Sequence, residues 1–317
     1  MSARPILLTG SAGFVGRTIA PMLREAFPGR ALVEVVRSPP APAGGAAVDL
    51  TGRAATDRLV RDAAPGIVVH LAAYSSVGLA RRDPDAVWRD NVDASLWVAR
   101  AVAQHVPDAL VLATSTAEVY GRALVGGAVD EATVPRPNGP YACSKLASEH
   151  AFVATLPASV KLILARPFNH TGPGQSENFA IPSFAAQLAR MEAGLVPPRL
   201  KVGNLKAARD FLHVADVAAT YVRLLAMADR LPQRTLLNVA RGVATPIEAM
   251  LDVLLRLATV DVAVEVDPAR LRPNEIPVAT TRTERISRLM DWPPRRCLVD
   301  ILRDVLDDKR AEVRAAG

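Results

Sequence analysis

Residues 9–16, TGSAGFVG, decide how the start of this chain folds. They follow a short apolar run at 6–8 and precede an amphipathic stretch at 15–26, so the pattern predicts a strand, a tight turn and a helix. The glycines are spaced G-x-x-G-x-x-G, a variant of the G-x-G-x-x-G pattern. Glycine permits the tight turn, the approach of a phosphate to the backbone and close helix–strand packing. We therefore expect a dinucleotide to bind here.

Short apolar runs alternate with helical patterns through the first half of the chain. Continuous apolar runs are typical of strands buried on both faces of a parallel sheet. We predict strands at 32–36, 67–71, 109–113 and 160–165, and helices at 56–63, 85–104 and 140–154. The fold class is therefore α/β, a Rossmann-type doubly wound parallel sheet.

The pattern becomes irregular after Pro167, with helices expected at 183–193, 214–227, 246–258 and 298–312. We expect residues 1–167 to form the Rossmann domain, with later segments at about 210–245 returning to it. Residues 168–317 are expected to form mainly a smaller, interleaved substrate domain.

The composition of the 317 residues is that of a globular protein, with 50% hydrophobic and 22% charged residues. The net charge of +6 is not clustered and aromatic residues make up only 4%, so we expect no nucleic-acid partner. Cys143 and Cys297 cannot form a disulfide framework, and no His/Cys/Asp cluster has metal-ligand spacing. With no membrane-length apolar run and a start too short for a signal peptide, a cytoplasmic location without membrane contact is expected.

The end of the second predicted strand bears on cofactor choice. An NAD-specific site places an acidic residue there, but Val35 and Val36 are followed by Arg37. Arginine can pair with the 2′-phosphate of NADP, so NADP(H) is favoured and NAD(H) stays open. Glu34 lies two residues too early for the acidic role, and a slip in register would reverse the preference.

Tyr141 and Lys145 are four residues apart on a predicted helix, so they share one face. A free phenol has a pKa near ~10, and an ammonium nearby would lower that pKa toward neutrality. Hydroxyls at 114–116 follow another predicted strand and would reach the same sheet edge. The combination predicts acid–base chemistry, although a Tyr–Lys pair alone is also common on helix surfaces.

With TGSAGFVG, HLAA at 70–73, STAEVYG at 115–121 and YACSK at 141–145 in this order, the chain resembles the extended short-chain dehydrogenase/reductase superfamily. The resemblance covers nearly the whole chain and implies a nicotinamide cofactor and a C-terminal nucleotide-sugar domain. It implies Thr116, Tyr141, Lys145 and Glu118 as catalytic residues. The cofactor residues that it implies are Gly10, Ala12, Gly13, Phe14, Val15, Gly16, Arg37, Asp49, Leu50, Leu71, Ala72, Ala73, Asn91, Tyr141 and Lys145.

Segments in the second half are similar to the GDP-mannose branch of the superfamily. They are RPFNHTGPGQ at 166–175, KVGNLKAARDFLHVADV at 201–217 and LRPNEIP at 271–277. The sugar nucleotide would then be held by Asn169, Asn178, Lys201, Arg209, Arg272 and Glu275, and Ser75, after the third strand, is a further candidate. Arginine suits a diphosphate because its planar fork grips two oxygens. The alternatives are a local ion pair of Arg209 with Asp210 and a surface position in a loop for Arg272.

The branch contains 4,6-dehydratases and 4-keto-6-deoxy-mannose reductases. The length of this chain and the sequences of the three segments are more similar to those of the reductases. We therefore expect NADPH-dependent reduction of the C4 ketone of a GDP-4-keto-6-deoxy sugar. The alternatives are GDP-mannose 4,6-dehydration, for which Glu118 would serve as base, a nucleotide-sugar 4-epimerase, and a non-catalytic NADP-binding sensor. The resemblance also implies a homodimer, paired through the helix that carries Tyr141 and the preceding long helix. The helix at 85–104 is apolar on more than one side, which fits such pairing or burial against the sheet.

Overall fold

The computed structural model describes residues 3–75, 77–80, 82–271, 276–294 and 296–316. The strands are β1 (Ala3–Thr9), β2 (Arg30–Val36), β3 (Ala46–Ala47), β4 (Ile67–His70), β5 (Leu110–Thr114), β6 (Lys161–Pro167), β7 (Asn169–Thr171), β8 (Arg199–Val202), β9 (Ala208–His213), β10 (Arg234–Val239), β11 (Ala244–Pro246), β12 (Ala263–Val266) and β13 (Val278–Ala279). The helices are α1 (Phe14–Ala26), α2 (Arg53–Ala63), α3 (Val77–Ala80), α4 (Pro84–Trp88), α5 (Ala94–His105), α6 (Pro140–Thr155), α7 (Ala180–Glu192), α8 (Val214–Ala226), α9 (Ile247–Leu257), α10 (Glu284–Leu289) and α11 (Leu298–Ala316).

The chain forms two compact units, each made from separate stretches of sequence. The first unit comprises Met1–Gly121, Glu131–Pro167 and Ala215–Val239. The second comprises Arg122–Asp130, Phe168–Val214 and Ala240–Gly317.

The first unit is built on a seven-stranded sheet in the order β10-β6-β5-β4-β1-β2-β3, with every neighbouring pair parallel. The predicted doubly wound parallel sheet is confirmed. Side chains such as Leu7, Val68 and Val111 are completely buried and pack with Val98 and Val102 of α5. The strand order reverses beside β1, and in such sheets ligands bind outside the carboxyl ends of the strands at this point.

The helix predicted at 85–104 is interrupted by one π turn, Arg89–Asp93, between α4 and α5. The predicted long helix is confirmed, and the π turn within it is a local feature that the apolar spacing does not reveal. The Asp83 carboxylate caps α4 by accepting from the Ala86 N–H at 3.0 Å. A π turn adds one residue to the helical turn, and such turns are frequent at functional sites.

The second unit contains a small mixed sheet in which β9 pairs with β7, β11 and β13, and a separate pair of strands, β8 and β12. Its core is formed by α7, α9 and α11, through residues such as Phe184, Leu254 and Leu302. Asp210 on β9 is fully buried and accepts three backbone N–H bonds from 241–243, at 2.6–3.0 Å. These bonds fix the loop that leads into β11.

Among the residues that the structure describes, no helix combines the length and the apolar character needed to cross a bilayer.

Candidate active site

The glycine turn at the end of β1 packs against two neighbouring elements. Gly10 has φ +71°, and a Cβ there would lie 2.8 Å from the Ala72 N atom. A Cβ at Gly16 would overlap the Gly10 carbonyl oxygen. Only glycine allows this left-handed turn and this close approach of helix to strand. Helix α1 begins at Phe14 with no acidic side chain in its first turn, so its positive end is open to a phosphate.

A cleft of about 260 Å³ opens beside this turn at the carboxyl ends of the strands. It is lined by predicted cofactor residues: Gly10, Ala12, Gly13, Arg37, Asp49, Leu50, Leu71, Ala72 and Ala73. The mostly apolar walls and the crowded glycine turn fit a bound dinucleotide. Phe14, Val15 and Gly16 continue from the turn into α1. Asn91, Tyr141 and Lys145, also predicted to bind the cofactor, are not part of this lining.

Arg37 stands directly after β2 and points its guanidinium at two carboxylates. It donates to both oxygens of Asp90 at 2.7 Å, and it lies 3.6 Å from Asp49. The Asp90 hydrogen bond raises the pKa of Arg37 above its ordinary value. Glu34 lies inside β2, is buried and pairs with Arg24. The residue at the strand end is therefore arginine, as the predicted register required.

Thr116 and Tyr141 meet at the end of β5. Thr116 follows that strand, Tyr141 is the second residue of α6, and the two hydroxyls share a hydrogen bond. The Glu118 N–H donates to Thr116 Oγ1 at 3.2 Å and so fixes the threonine rotamer. Burial raises the pKa of Tyr141 to about 12; the bond with Thr116 opposes this shift and the negative charge of Glu118 adds to it.

Lys145 lies one turn further along α6 and is buried, with 3% of its surface exposed. Its ammonium donates to the Thr114 carbonyl oxygen at 2.7 Å. Burial lowers the pKa of Lys145 to about 8, against the opposing charge of Glu149. We expected Lys145 to lower the pKa of Tyr141 toward neutrality, and this was wrong, because the pKa of Tyr141 is raised. Burial dominates the phenol, and the ammonium is directed to a strand-end carbonyl.

His70 and Asn91 hold the surrounding elements together. His70 is buried and contacts Thr9 Oγ1 at 2.9 Å and Ser95 Oγ at 3.3 Å. Burial and the charge of Lys145 lower the pKa of His70 to about 3, so the ring is neutral near pH 7.

Asn91, in the π turn, joins the segment after β4 to the catalytic helix. It accepts from the Tyr74 N–H at 2.7 Å and donates to Ser144 Oγ at 2.9 Å. Its backbone carbonyl accepts from Ser148 at 2.8 Å. This anchoring of α6 was not foreseen, because nothing local in the sequence marks contacts between residues about fifty positions apart.

The described members of the predicted substrate set belong to different elements of the two units. Ser75 is exposed in the first unit after β4. In the second unit, Asn169 on β7 pairs with Phe211 of β9, so Asn169 and Arg209 lie on the same sheet face. Lys201 lies on β8 in the other sheet, and Asn178 lies in an exposed loop.

Arg272 and Glu275 lie outside the residues that the structure describes.

The first unit thus places a nucleotide cleft and a hydroxyl–phenol pair at the same edge of its sheet, which is the arrangement of a dinucleotide-dependent oxidoreductase. Within the described stretches, no three His, Cys, Asp or Glu side chains are grouped to hold a metal ion.

Comparison with known proteins identifies the same class. The model of the NAD dependent epimerase/dehydratase family matches residues 6–240, and the chain belongs to this family. The resemblance to extended short-chain dehydrogenases/reductases is confirmed.

Three relatives illustrate the likeness. A GDP-6-deoxy-D-mannose reductase from Pseudomonas aeruginosa is 32% identical over 311 residues, 98% of each chain. The solved structure of RMD from Pseudomonas aeruginosa complexed with NADPH superposes with a TM-score of 0.82, at 30% identity, over 98% of this chain and 100% of the other. A UDP-glucose 4-epimerase from Thermus thermophilus in complex with NAD also has a TM-score of 0.82, at 25% identity, over 96% and 99% of the two chains.

Proposed function

We propose that this protein reduces the C4 ketone of a GDP-4-keto-6-deoxy-mannose to the alcohol, with NADPH as reductant. The observation that carries this proposal is the hydrogen bond between the Thr116 and Tyr141 hydroxyls at the same sheet edge where the nucleotide cleft opens. Reduction of a ketone consumes one proton, and a phenol with a pKa of about 12 holds that proton throughout the neutral range. The full-length likeness to a GDP-6-deoxy-D-mannose reductase supports the choice of substrate.

In this proposal Tyr141 donates its phenolic proton to the oxygen that was the C4 carbonyl. NADPH, when bound, supplies the hydride. Because the hydrogen bond with Thr116 lowers the pKa of Tyr141, Thr116 stabilises the phenolate that remains after proton donation. Lys145 holds the end of β5 through the Thr114 carbonyl, and so positions the neighbouring Thr116.

NADPH would be held by the residues of the first unit. The glycine turn and the start of α1 suit the pyrophosphate, and Asp49 and Leu50 line the part of the cleft expected to take adenine. Arg37, which follows β2 and lines the same cleft, would receive the 2′-phosphate. A relative solved with NADPH supports this choice, and a relative solved with NAD keeps NADH as an alternative.

The sugar nucleotide would be held by the second unit. Asn169 and Arg209 share a sheet face there, and a guanidinium suits a diphosphate because its planar fork grips two oxygens. Ser75, Asn178 and Lys201 remain candidates for additional contacts.

Dehydration of GDP-mannose is the second candidate. Glu118 lies close enough to Tyr141 to raise its pKa, so a carboxylate base is present next to the phenol. The two functions separate with GDP-mannose alone: a dehydratase forms a 4-keto sugar without net NADPH use, and a reductase leaves GDP-mannose unchanged.

We also propose a homodimer formed through the outer faces of α4 and α6. Trp88 is 43% exposed and Val153 is 51% exposed, and apolar residues run around α6 rather than along one side. Light scattering on a sizing column tests this, since Val153→Glu should then yield monomers.

A cytoplasmic location is proposed as well, and the free thiols of Cys143 and Cys297 support it.

The reaction is tested by incubating the protein with GDP-4-keto-6-deoxy-mannose and NADPH while following absorbance at 340 nm, which reports NADPH. We expect NADPH to fall in step with the ketone. Dinucleotide binding without turnover would instead indicate a sensor, and conversion of a UDP-hexose to its C4 epimer would indicate an epimerase.

A further inference from the structure

The cation expected to select NADPH already has a partner within the protein. Both terminal nitrogens of Arg37 donate to Asp90, each at 2.7 Å, in a parallel fork. This is the same geometry by which arginine grips a phosphate. Arg37 and Asp90 line the same cleft. A 2′-phosphate therefore has to share the guanidinium with a carboxylate.

The two members of the pair differ in freedom. The Asp90 side chain is 11% exposed, whereas that of Arg37 is 55% exposed. Asp90 lies in the π turn, where the next residue, Asn91, is anchored by Tyr74, Ser144 and Ser148. The carboxylate is thus held in place, and Arg37 is the partner with room to reorient.

A second carboxylate, Asp49, lies 3.6 Å from Arg37. Asp49 also feels the positive charge of Arg89, so its charge is balanced by more than one cation. Asp90 instead makes both of its arginine hydrogen bonds to Arg37. Asp49 and Asp90 together offset the charge of Arg37, while Arg89 offsets part of the charge of Asp49, so the positive charge left on Arg37 to attract a phosphate dianion is reduced.

We propose that Asp90 is a specificity-determining residue that competes with the 2′-phosphate of NADPH for Arg37 and so restrains the preference for NADPH over NADH. The inference rests on the proposed function, which assigns this cleft to a nicotinamide dinucleotide. Removing the negative charge of Asp90 while keeping the shape of its side chain should therefore strengthen the binding of NADPH but not that of NADH. NADH has no 2′-phosphate and gains nothing from a less neutralised arginine.

The test is fluorescence titration of the purified protein with NADPH and with NADH, without sugar substrate. The Asp90→Asn variant keeps one carbonyl oxygen to receive Arg37 and loses the charge. We expect its Kd for NADPH to fall about tenfold, because one unit of negative charge near the 2′-phosphate is removed at the protein surface. The Kd for NADH should change less than about twofold.

Asp108→Asn is the matched control, because both carboxylate oxygens of Asp108 also accept from one arginine, here from Arg4 Nη1 alone, each at 2.8 Å. That pair lies at the opposite end of the strands, so the same change in net charge should leave both Kd values unaltered. In an Arg37→Gln background the gain from Asp90→Asn should vanish, because the competition acts through the guanidinium.

An unchanged NADPH-to-NADH ratio in Asp90→Asn, with both dinucleotides binding, would overturn this inference and leave the proposed function standing. The same gain in the Arg37→Gln background would also overturn it, since Asp90 would then act on the phosphate directly. Failure of the wild-type protein to bind either dinucleotide would overturn both.

Discussion

Replacing Tyr141 with phenylalanine removes the proposed proton donor and little else. The aromatic ring keeps its volume, and Thr116 keeps the hydrogen bond from the Glu118 N–H at 3.2 Å. The variant loses one hydroxyl–hydroxyl bond, so its free energy of unfolding should change by no more than about 1 kcal/mol. A positioned general acid contributes about 10²–10⁴-fold, and kcat should fall by about that factor. Tyr141 does not line the described nucleotide cleft, so the Kd for NADPH should stay within about twofold.

The assay measures kcat with GDP-4-keto-6-deoxy-mannose, the NADPH Kd by fluorescence and the melting temperature. Tyr120→Phe is the matched control, because Tyr120 is a buried phenol in the same region that donates to Asn238 Oδ1 at 2.7 Å. It should lose about 1–2 kcal/mol of stability and keep kcat within a few-fold. Near-normal turnover in Tyr141→Phe, or equal loss of kcat in both variants, would refute the assigned role.

Three further outcomes are expected. Gly16→Ala should destabilise the protein by about 1–3 kcal/mol, because the new methyl overlaps the Gly10 carbonyl oxygen; an unchanged denaturation midpoint would contradict this packing. Lys145→Met should lower kcat, because it releases the end of β5 that positions Thr116. It should also raise the unfolding free energy at pH 7 by about 2 kcal/mol, which is the cost of burying the ammonium less one lost hydrogen bond. The pKa of Lys145 is about 8 in the folded protein and 10.5 in the unfolded chain, so the stability of the wild-type protein rises with pH between these values. Urea titrations of the Lys145→Met variant should lack this rise. His70, with a folded pKa of about 3 against 6.5, should lose about 4 kcal/mol of stability as pH falls through this window, and His70→Asn should show a shallower acid slope.

The sheet was predictable because its strands are buried on both faces. Continuous apolar runs such as 67–71 and 109–113 are typical of strands that are covered on both faces of a parallel sheet. The glycine turn marks where the first strand ends. Arg37 was also placed correctly at the end of β2, with Glu34 inside the strand. These features depend on local pattern alone.

Other features depend on contacts that sequence spacing does not encode. The two-residue strand β3 is absent from the predicted strands, because it is held by pairing of Ala46 with Val35 rather than by its own composition. The Arg37–Asp90 fork joins residues 53 positions apart. The pKa of Tyr141 is raised, whereas the prediction was that it would be lowered. Burial of the phenol, which the sequence does not report, is the largest cause of this shift.

The most direct test of the central claim uses NADPH deuterated at C4 of the nicotinamide, together with GDP-4-keto-6-deoxy-mannose. Proton NMR of the purified product locates the transferred atom. We predict a GDP-6-deoxyhexose that carries deuterium at C4 of the sugar, with one NADPH consumed for each product formed. A product with deuterium at another carbon, or an unreacted ketone beside intact NADPH, would contradict the account.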